Sequence, residues 1–382
     1  MITGNKGEWS ELYIFFKILT DKRIYTADAN LNKIKDVFLN VITIIREEVK
    51  NYVYKYNTGE NVIIKLNGKE VGRIPNEEFI HYMNIIWDQL KNNKDTTFSN
   101  EVVEDFLNRI HVTKLKSPST HVTNYFGGTV DIVLETEDRS GVVRILGFSC
   151  KSDIKSPSTL LNASQDNTNF VYELEGPVND EVMNHFNNIF KVTQRRGEVC
   201  KDIATHERID YLKELGIDLK FVKTALPIAN ENLIMSGGME MPKIIAGMLK
   251  LFYFVNSGSR TFINDCIKYL SENDIAGYGF PNLEDVYYSK VASFLYNTFT
   301  GLRLGTLWNG KAEVNGGYIV VKKDGDVVAF HSTIADEFKD FLVSTSFLEG
   351  PSHKRHLDMV IEKEGDRYYL KFALQIRFAL NR

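Results

Sequence analysis

Apolar positions three and four apart open the chain: Leu12, Phe15, Phe16 and Leu19 predict a helix over 4–20, entered through Gly4 and Gly7 and apolar enough to be buried. The same spacing in Ile34, Val37, Phe38, Val41, Ile44, Ile45 and Val49 predicts a long helix over 30–57. Strand-like runs at 61–66 and 69–74, joined by Asn67-Gly68, predict a tight hairpin. Helices are expected at 76–94 and 99–111, and a strand at 121–125. A second hairpin spans 127–152: 129–135, which alternates β-branched and acidic residues, and an apolar run at 142–151 flank the turn Asp138-Arg139-Ser140-Gly141. Ser156-Pro157-Ser158-Thr159 reads as a capped helix start, the helix running on through 159–170. Helices at 179–190 and 198–215 and a strand at 219–226 follow. Further helices at 229–256 and 283–300 precede two hairpins, 318–322 with 327–331 and 356–361 with 367–378. The fold class expected is α/β: a mixed sheet flanked by helices, with N-terminal helices and a C-terminal α+β region.

Composition narrows the function. Among 382 residues 43% are hydrophobic and 25% charged, as in a globular chain with ample core. No apolar run approaches the roughly 20 residues of a membrane span, and the N-terminus has no secretory pattern, so a cytoplasmic protein without a membrane partner is expected. Three cysteines, Cys150, Cys200 and Cys266, without a C-x-x-C pair suit a reducing compartment and argue against a zinc site. A net charge of −4 argues against a nonspecific polycation, yet a local basic cleft remains open to a sequence-reading enzyme. Gly-rich phosphate loops, H-E-x-x-H and G-x-S-x-G are absent from the sequence, which removes nucleotide-driven, zinc-dependent and serine-hydrolase readings. No internal repeat or linker marks a boundary; a division into 1–225 and 226–382 follows the change in character along the chain.

The central hairpin carries the best candidate chemistry. Asp131 begins one strand and Lys151 ends the next; Ser149 and Lys151 share one face of their strand, with Cys150 opposite. A carboxylate for a divalent cation beside an ammonium is a minimum kit for metal-assisted phosphodiester hydrolysis, although such a pair can also be a solvated surface. Glu8 and Glu11 share a face of the first helix, where helix-dipole stabilisation is the simpler role. Basic residues cluster at Arg195 and Arg196 and at Lys354 and Arg355; Lys371, Gln375 and Arg377 fall on one face of the last strand. These can lie against DNA or simply face water.

Three blocks together resemble the HpaII-type restriction endonucleases: 4–12 (GNKGEWSEL), 147–152 (GFSCKS) with 159–164 and 168–170, and 374–378 (LQIRF). That family is placed in the PD-(D/E)XK nuclease superfamily, whose core order of helix, acid- and lysine-bearing strands, helix and strand matches the one read above. The resemblance implies Mg²⁺-dependent cleavage of duplex DNA at a short palindrome, CCGG for the type member. It also implies no nucleotide cofactor, a cognate DNA methyltransferase in the same system, and a homodimer when both strands are cut. Asp131 would hold metal, Lys151 would orient the attacking water, and Glu11, four residues after Gly7, would bind metal or water at the edge of the site.

Two departures stand out. Gly128 and Thr129 occupy the region of the superfamily's proline, and Ser149 stands where a second acid is usual. Some restriction enzymes with a Ser-x-Lys pattern draw their second acid from the following helix; here 154–172 offers one acid, Asp166, beside Asn162 and Gln165, two amides whose carbonyl oxygens can hold a metal or its water. Both are therefore candidates to complete the site. A DNA-binding module with a decayed site, or a repair or junction nuclease, are the alternatives.

Overall fold

The computed structural model of the protein describes residues 2–28, 30–49, 51–116, 130–152, 154, 158–195, 198–331, 335–351 and 359–378, with the side chains of Ser158, Arg195 and Glu198 excluded. It is a mixed α/β fold in two units, Met1–Ser158 with Ala312–Phe341, and Thr159–Lys311 with Leu342–Arg382. The expected division at 225/226 was into consecutive halves; these units interleave along the chain. Among the described residues no helix is long and apolar enough to cross a membrane.

The first unit is organised by the helix Lys6–Asp21 and a nine-stranded sheet. The helix is buried on most of its circumference, from Trp9 through Leu19, as its apolar density requires. Phe16 meets Phe79 of the helix Asn76–Asn92 and Phe106 of the helix Glu101–Arg109 edge-on. In the sheet, Val143–Ser152 lies between Ile132–Glu137, its antiparallel partner, and Gly317–Val321, which runs parallel to it. Val327–His331 completes a hairpin with Gly317–Val321 and pairs in parallel with Arg23–Ala27. Arg23–Ala27 also pairs with Lys33–Val49, which pairs with Ile132–Glu137, so six of the strands close on themselves.

Lys33–Val49 corrects the expected helix over 30–57, which is instead this 17-residue strand followed by the strand Tyr52–Asn57. Val41, Ile42, Thr43, Ile44 and Ile45 form a β-branched run, and every residue from Thr43 to Glu48 is buried. A strand covered on both faces shows a near-continuous apolar run, and that run contains positions at helical spacing by coincidence. Two of its buried charges are paired: Arg46 Nε meets Glu48 Oε1 at 2.6 Å, Arg46 Nη2 donates to Lys114 O at 2.7 Å, and Glu48 Oε2 accepts from Thr113 N at 2.8 Å, while the third, Glu47, accepts from Asn51 N at 2.6 Å.

The second unit holds two four-stranded sheets. One, in the order Asp218–Thr224, Asn169–Glu175, Arg367–Ala373 and Ile361–Glu364, is antiparallel throughout. The other orders Ser158–Leu161, Ile376–Phe378, Ser346–Leu348 and Thr261–Phe262. The helix expected after Pro157 is not formed. Ser158–Leu161 is a strand, and Ser164–Thr168 turns tightly, with Gln165 at φ +43° and Thr168 Oγ1 accepting from Ser164 N at 2.9 Å. Short polar side chains that bond locally outcompete helix there. The helix expected over 198–215 is the strand Glu198–Ile203 followed by the helix Thr205–Glu214. The helix expected over 229–256 breaks at Gly238, with φ +99°, into Pro227–Gly237 and Met241–Leu249, which continues as a π-helical turn, Lys250–Val255. The strand expected at 121–125 lies outside the described residues.

Candidate active site

Asp131 sits one residue before the strand Ile132–Glu137 and donates its backbone N–H to Phe148 O at 2.9 Å. Ile132 pairs with Phe148, so alternation sends Phe148 and Cys150 into the core beneath the first helix and leaves Ser149 and Lys151 on the other face. Ser149 Oγ donates to Asp131 Oδ2 at 2.9 Å, and Cys150 N–H donates to the same oxygen at 2.8 Å. Two donors on one oxygen fix the carboxylate in place. Among the described residues the other oxygen accepts no hydrogen bond, and neither does Lys151 Nζ donate one.

The first helix brings its two acids into different roles. Glu8 closes a capping box: Glu8 N donates to Asn5 Oδ1 at 3.1 Å and Glu8 Oε2 accepts from Asn5 N at 2.8 Å. One turn on, Glu11 is half-buried, and its Oε2 is a buried oxygen without a hydrogen-bond partner among the described residues. Burial, and then the charge of Asp131, push its carboxyl up to about 8, against the opposing pull of Lys116 and Lys151. The same surroundings raise the Cys150 thiol: burial first, then the charges of Asp131 and Glu11. Glu11, Asp131 and Lys151 therefore form one electrostatic neighbourhood although 120 residues separate the two acids.

A buried carboxylate oxygen without a partner is costly unless a proton or cation meets it. Mg²⁺ is held by one or two carboxylates together with water and phosphate oxygens, and this pair fits that requirement. No cluster of three or more His, Cys, Asp and Glu suited to a metal occurs among the described residues. Lys116, which follows the Thr113–Lys114 segment held by Glu48 and Arg46, joins the neighbourhood. Sequence reasoning missed it, since nothing local distinguishes Lys116 from Lys114.

The remaining candidates belong to the second unit or lie outside the described residues. Asn162 and Gln165 are exposed residues of the second unit, and the helix that was to carry them to Asp131 is absent. Gln375 is corrected from the DNA-facing surface to the interior: it is 4% exposed, with Nε2 3.5 Å from Gly350 O, because the strand pairing breaks at Leu374–Gln375. Arg377 is partly exposed and pairs with Glu349 at 2.8 Å, and Lys371 pairs with Glu362 at 3.0 Å. Arg195 ends the strand Phe190–Arg195, its side chain outside the description; Arg196, Lys354 and Arg355 lie outside the described residues.

Comparison with known proteins adds a family to this geometry. The sequence pattern described as HpaII restriction endonuclease matches residues 5–378. The chain is similar to the type II restriction enzyme HpaII of Haemophilus parainfluenzae, with 30% identity over 381 residues that cover 98% of each protein. No solved structure matches it. From Asn5 at the cap of the first helix to Phe378 in the last strand, the chain belongs to the HpaII restriction endonuclease family.

Proposed function

We propose that this chain is a type II restriction endonuclease that hydrolyses duplex DNA with Mg²⁺ at a short palindrome, CCGG as in the type member of its family. The observation that carries the reading is the buried, unpartnered Glu11 Oε2, on a carboxyl coupled electrostatically to Asp131 and Lys151. The acid- and lysine-bearing hairpin, with a helix packed over its core face, supports a PD-(D/E)XK core.

Asp131 and deprotonated Glu11 would hold the metal, with Ser149 Oγ and Cys150 N–H orienting Asp131. Bound Mg²⁺ supplies positive charge where negative charge develops on the phosphate. Lys151 would orient the attacking water and stabilise the pentacovalent phosphate as the new P–O bond forms and the bond to the leaving sugar oxygen breaks. Glu11 takes the part of the second acid missing at Ser149. A palindrome read by a two-fold dimer, protected in the host by a cognate methyltransferase, completes the proposal.

The test is a plasmid digest. Wild-type protein should give discrete fragments with Mg²⁺ and none with EDTA. Asp131→Ala and Lys151→Ala should each lower cleavage at least about 1,000-fold while retaining DNA binding. Near wild-type cutting by either variant would refute the assignment, and wild-type binding without cleavage would favour a decayed DNA-binding module.

A further inference from the structure

The second unit carries a two-stranded ribbon that pairs with no other described strand: Phe190–Arg195 against Glu198–Ile203. Its register sets Val192 opposite Lys201 and Gln194 opposite Val199. Side chains directly opposite in an antiparallel pair share a face, so these four form one patch, with the valines on one diagonal and Gln194 and Lys201 on the other. All four are exposed, Val192 at 68% and Val199 at 69%. On the reverse face Asp202 is buried and accepts from Thr193 Oγ1 at 2.7 Å, Thr193 and Cys200 are partly buried, and Lys191 is exposed. The root of the ribbon is fixed by Arg208, which is fully buried. Its guanidinium lies 5.1 Å from the ring centres of both Phe186 and Phe190, and donates to Ile189 O at 3.0 Å and Asn187 O at 2.8 Å.

A firmly rooted ribbon with an unpartnered apolar and polar face has the form of a recognition element. Its charge indicates the partner. Residues 190–203 carry four basic residues, Lys191, Arg195, Arg196 and Lys201, against two acidic ones, Glu198 and the buried Asp202, in a chain of net charge −4. We propose that this face enters the major groove of duplex DNA, with Gln194 and Lys201 bonding base edges and Val192 and Val199 packing on the apolar parts of the bases. A major groove about 12 Å wide admits a two-stranded ribbon; at C·G pairs lysine can donate to guanine O6 and N7, and the glutamine carbonyl can accept from the cytosine N4 amino group. The ribbon would then contribute to sequence choice, not only to affinity.

This inference rests on the endonuclease reading, and one set of full-length proteins separates the two. Fragment ends from the wild-type digest define the cleaved sequence. Affinities for a duplex bearing that sequence and for a scrambled duplex are then measured by fluorescence anisotropy, with EDTA present. Lys201→Ala, Gln194→Ala and the double variant Val192→Ser/Val199→Ser should each lower the ratio of specific to scrambled affinity about 10-fold. Their thermal midpoints should stay unchanged, because the substituted side chains are exposed. Discrete wild-type fragments with an unchanged ratio in all three variants would overturn the ribbon's role. An unchanged ratio accompanied by loss of a dimer in sedimentation would reassign the face to a second copy of the chain. No discrete wild-type fragments would remove the endonuclease reading and this inference with it.

Discussion

Glu11 faces two effects of the same sign, burial and the charge of Asp131, and its carboxyl rises from 4.5 to about 8. A group whose pKa is higher in the folded than in the unfolded protein contributes stability that is fully present below the unfolded value and is lost as pH rises through the folded one. In EDTA the thermal midpoint of wild-type protein should therefore fall relative to Glu11→Gln as pH goes from about 4.5 to 8. Mg²⁺ should recover much of that loss in wild type and little in Glu11→Gln, since metal binding requires the deprotonated carboxylate. Parallel pH curves for the two proteins would show that Glu11 meets no such environment. Ser149 makes a different prediction. Its hydroxyl supplies one of the two hydrogen bonds to Asp131 Oδ2, and the backbone bond from Cys150 survives substitution. A hydrogen bond to a charged group contributes about 1.5–3 kcal/mol, so Ser149→Ala should slow cleavage about 10- to 150-fold without abolishing it. Single-turnover rates measure this directly, and a loss as large as that of Asp131→Ala would make Ser149 a metal-contacting group instead.

Elements were legible where period and environment agreed. The first helix, with Leu12, Phe15, Phe16 and Leu19 on its buried side, and the hairpin at Asn67-Gly68 form where their patterns put them. Lys33–Val49 was misread because a doubly covered strand loses its alternation, leaving β-branching as the better guide. The segment after Pro157 looked like a helix start, yet Ser164, Gln165 and Thr168 bond among themselves and hold a turn. The pairing of Gly317–Val321 with Val143–Ser152 joins segments more than 160 residues apart, and a single sequence carries no sign of it. The hairpin of Gly317–Val321 with Val327–His331 depends on Gly317. Its φ is +112°, and a Cβ there would collide with Phe330 O, so Gly317→Ala should destabilise the protein by about 2–4 kcal/mol. The buried Arg46 supports the same sheet, and Arg46→Met would leave Glu48 without its ion-pair partner, at a cost of about 3–5 kcal/mol. Urea denaturation reads both. A change under about 0.5 kcal/mol in either would show that the local structure relaxes around the substitution.

For the whole molecule, Asp131, Lys151 and Glu11, the residues proposed for the site, were picked out in sequence and all belong to the first unit. The contacts proposed for DNA were less legible. A polar face on the last strand suggested Gln375, yet the break in pairing buries it, while Val192 lay between two expected helices and Val199 within the second, so neither marked an exposed ribbon. Interleaving of the two units hid their extents, because strands of one sheet come from distant parts of the chain. The central claim is that Glu11 and Asp131 jointly hold the catalytic metal beside Lys151. Anomalous diffraction from a crystal of the Lys151→Ala variant with duplex DNA and Mn²⁺ tests it most directly. The account predicts an Mn²⁺ peak within about 2.2 Å of a carboxylate oxygen of both Asp131 and Glu11, close to the distances of a hard divalent cation on oxygen ligands. A peak on other side chains, or one touching Asp131 while Glu11 makes no contact with the metal, would contradict it.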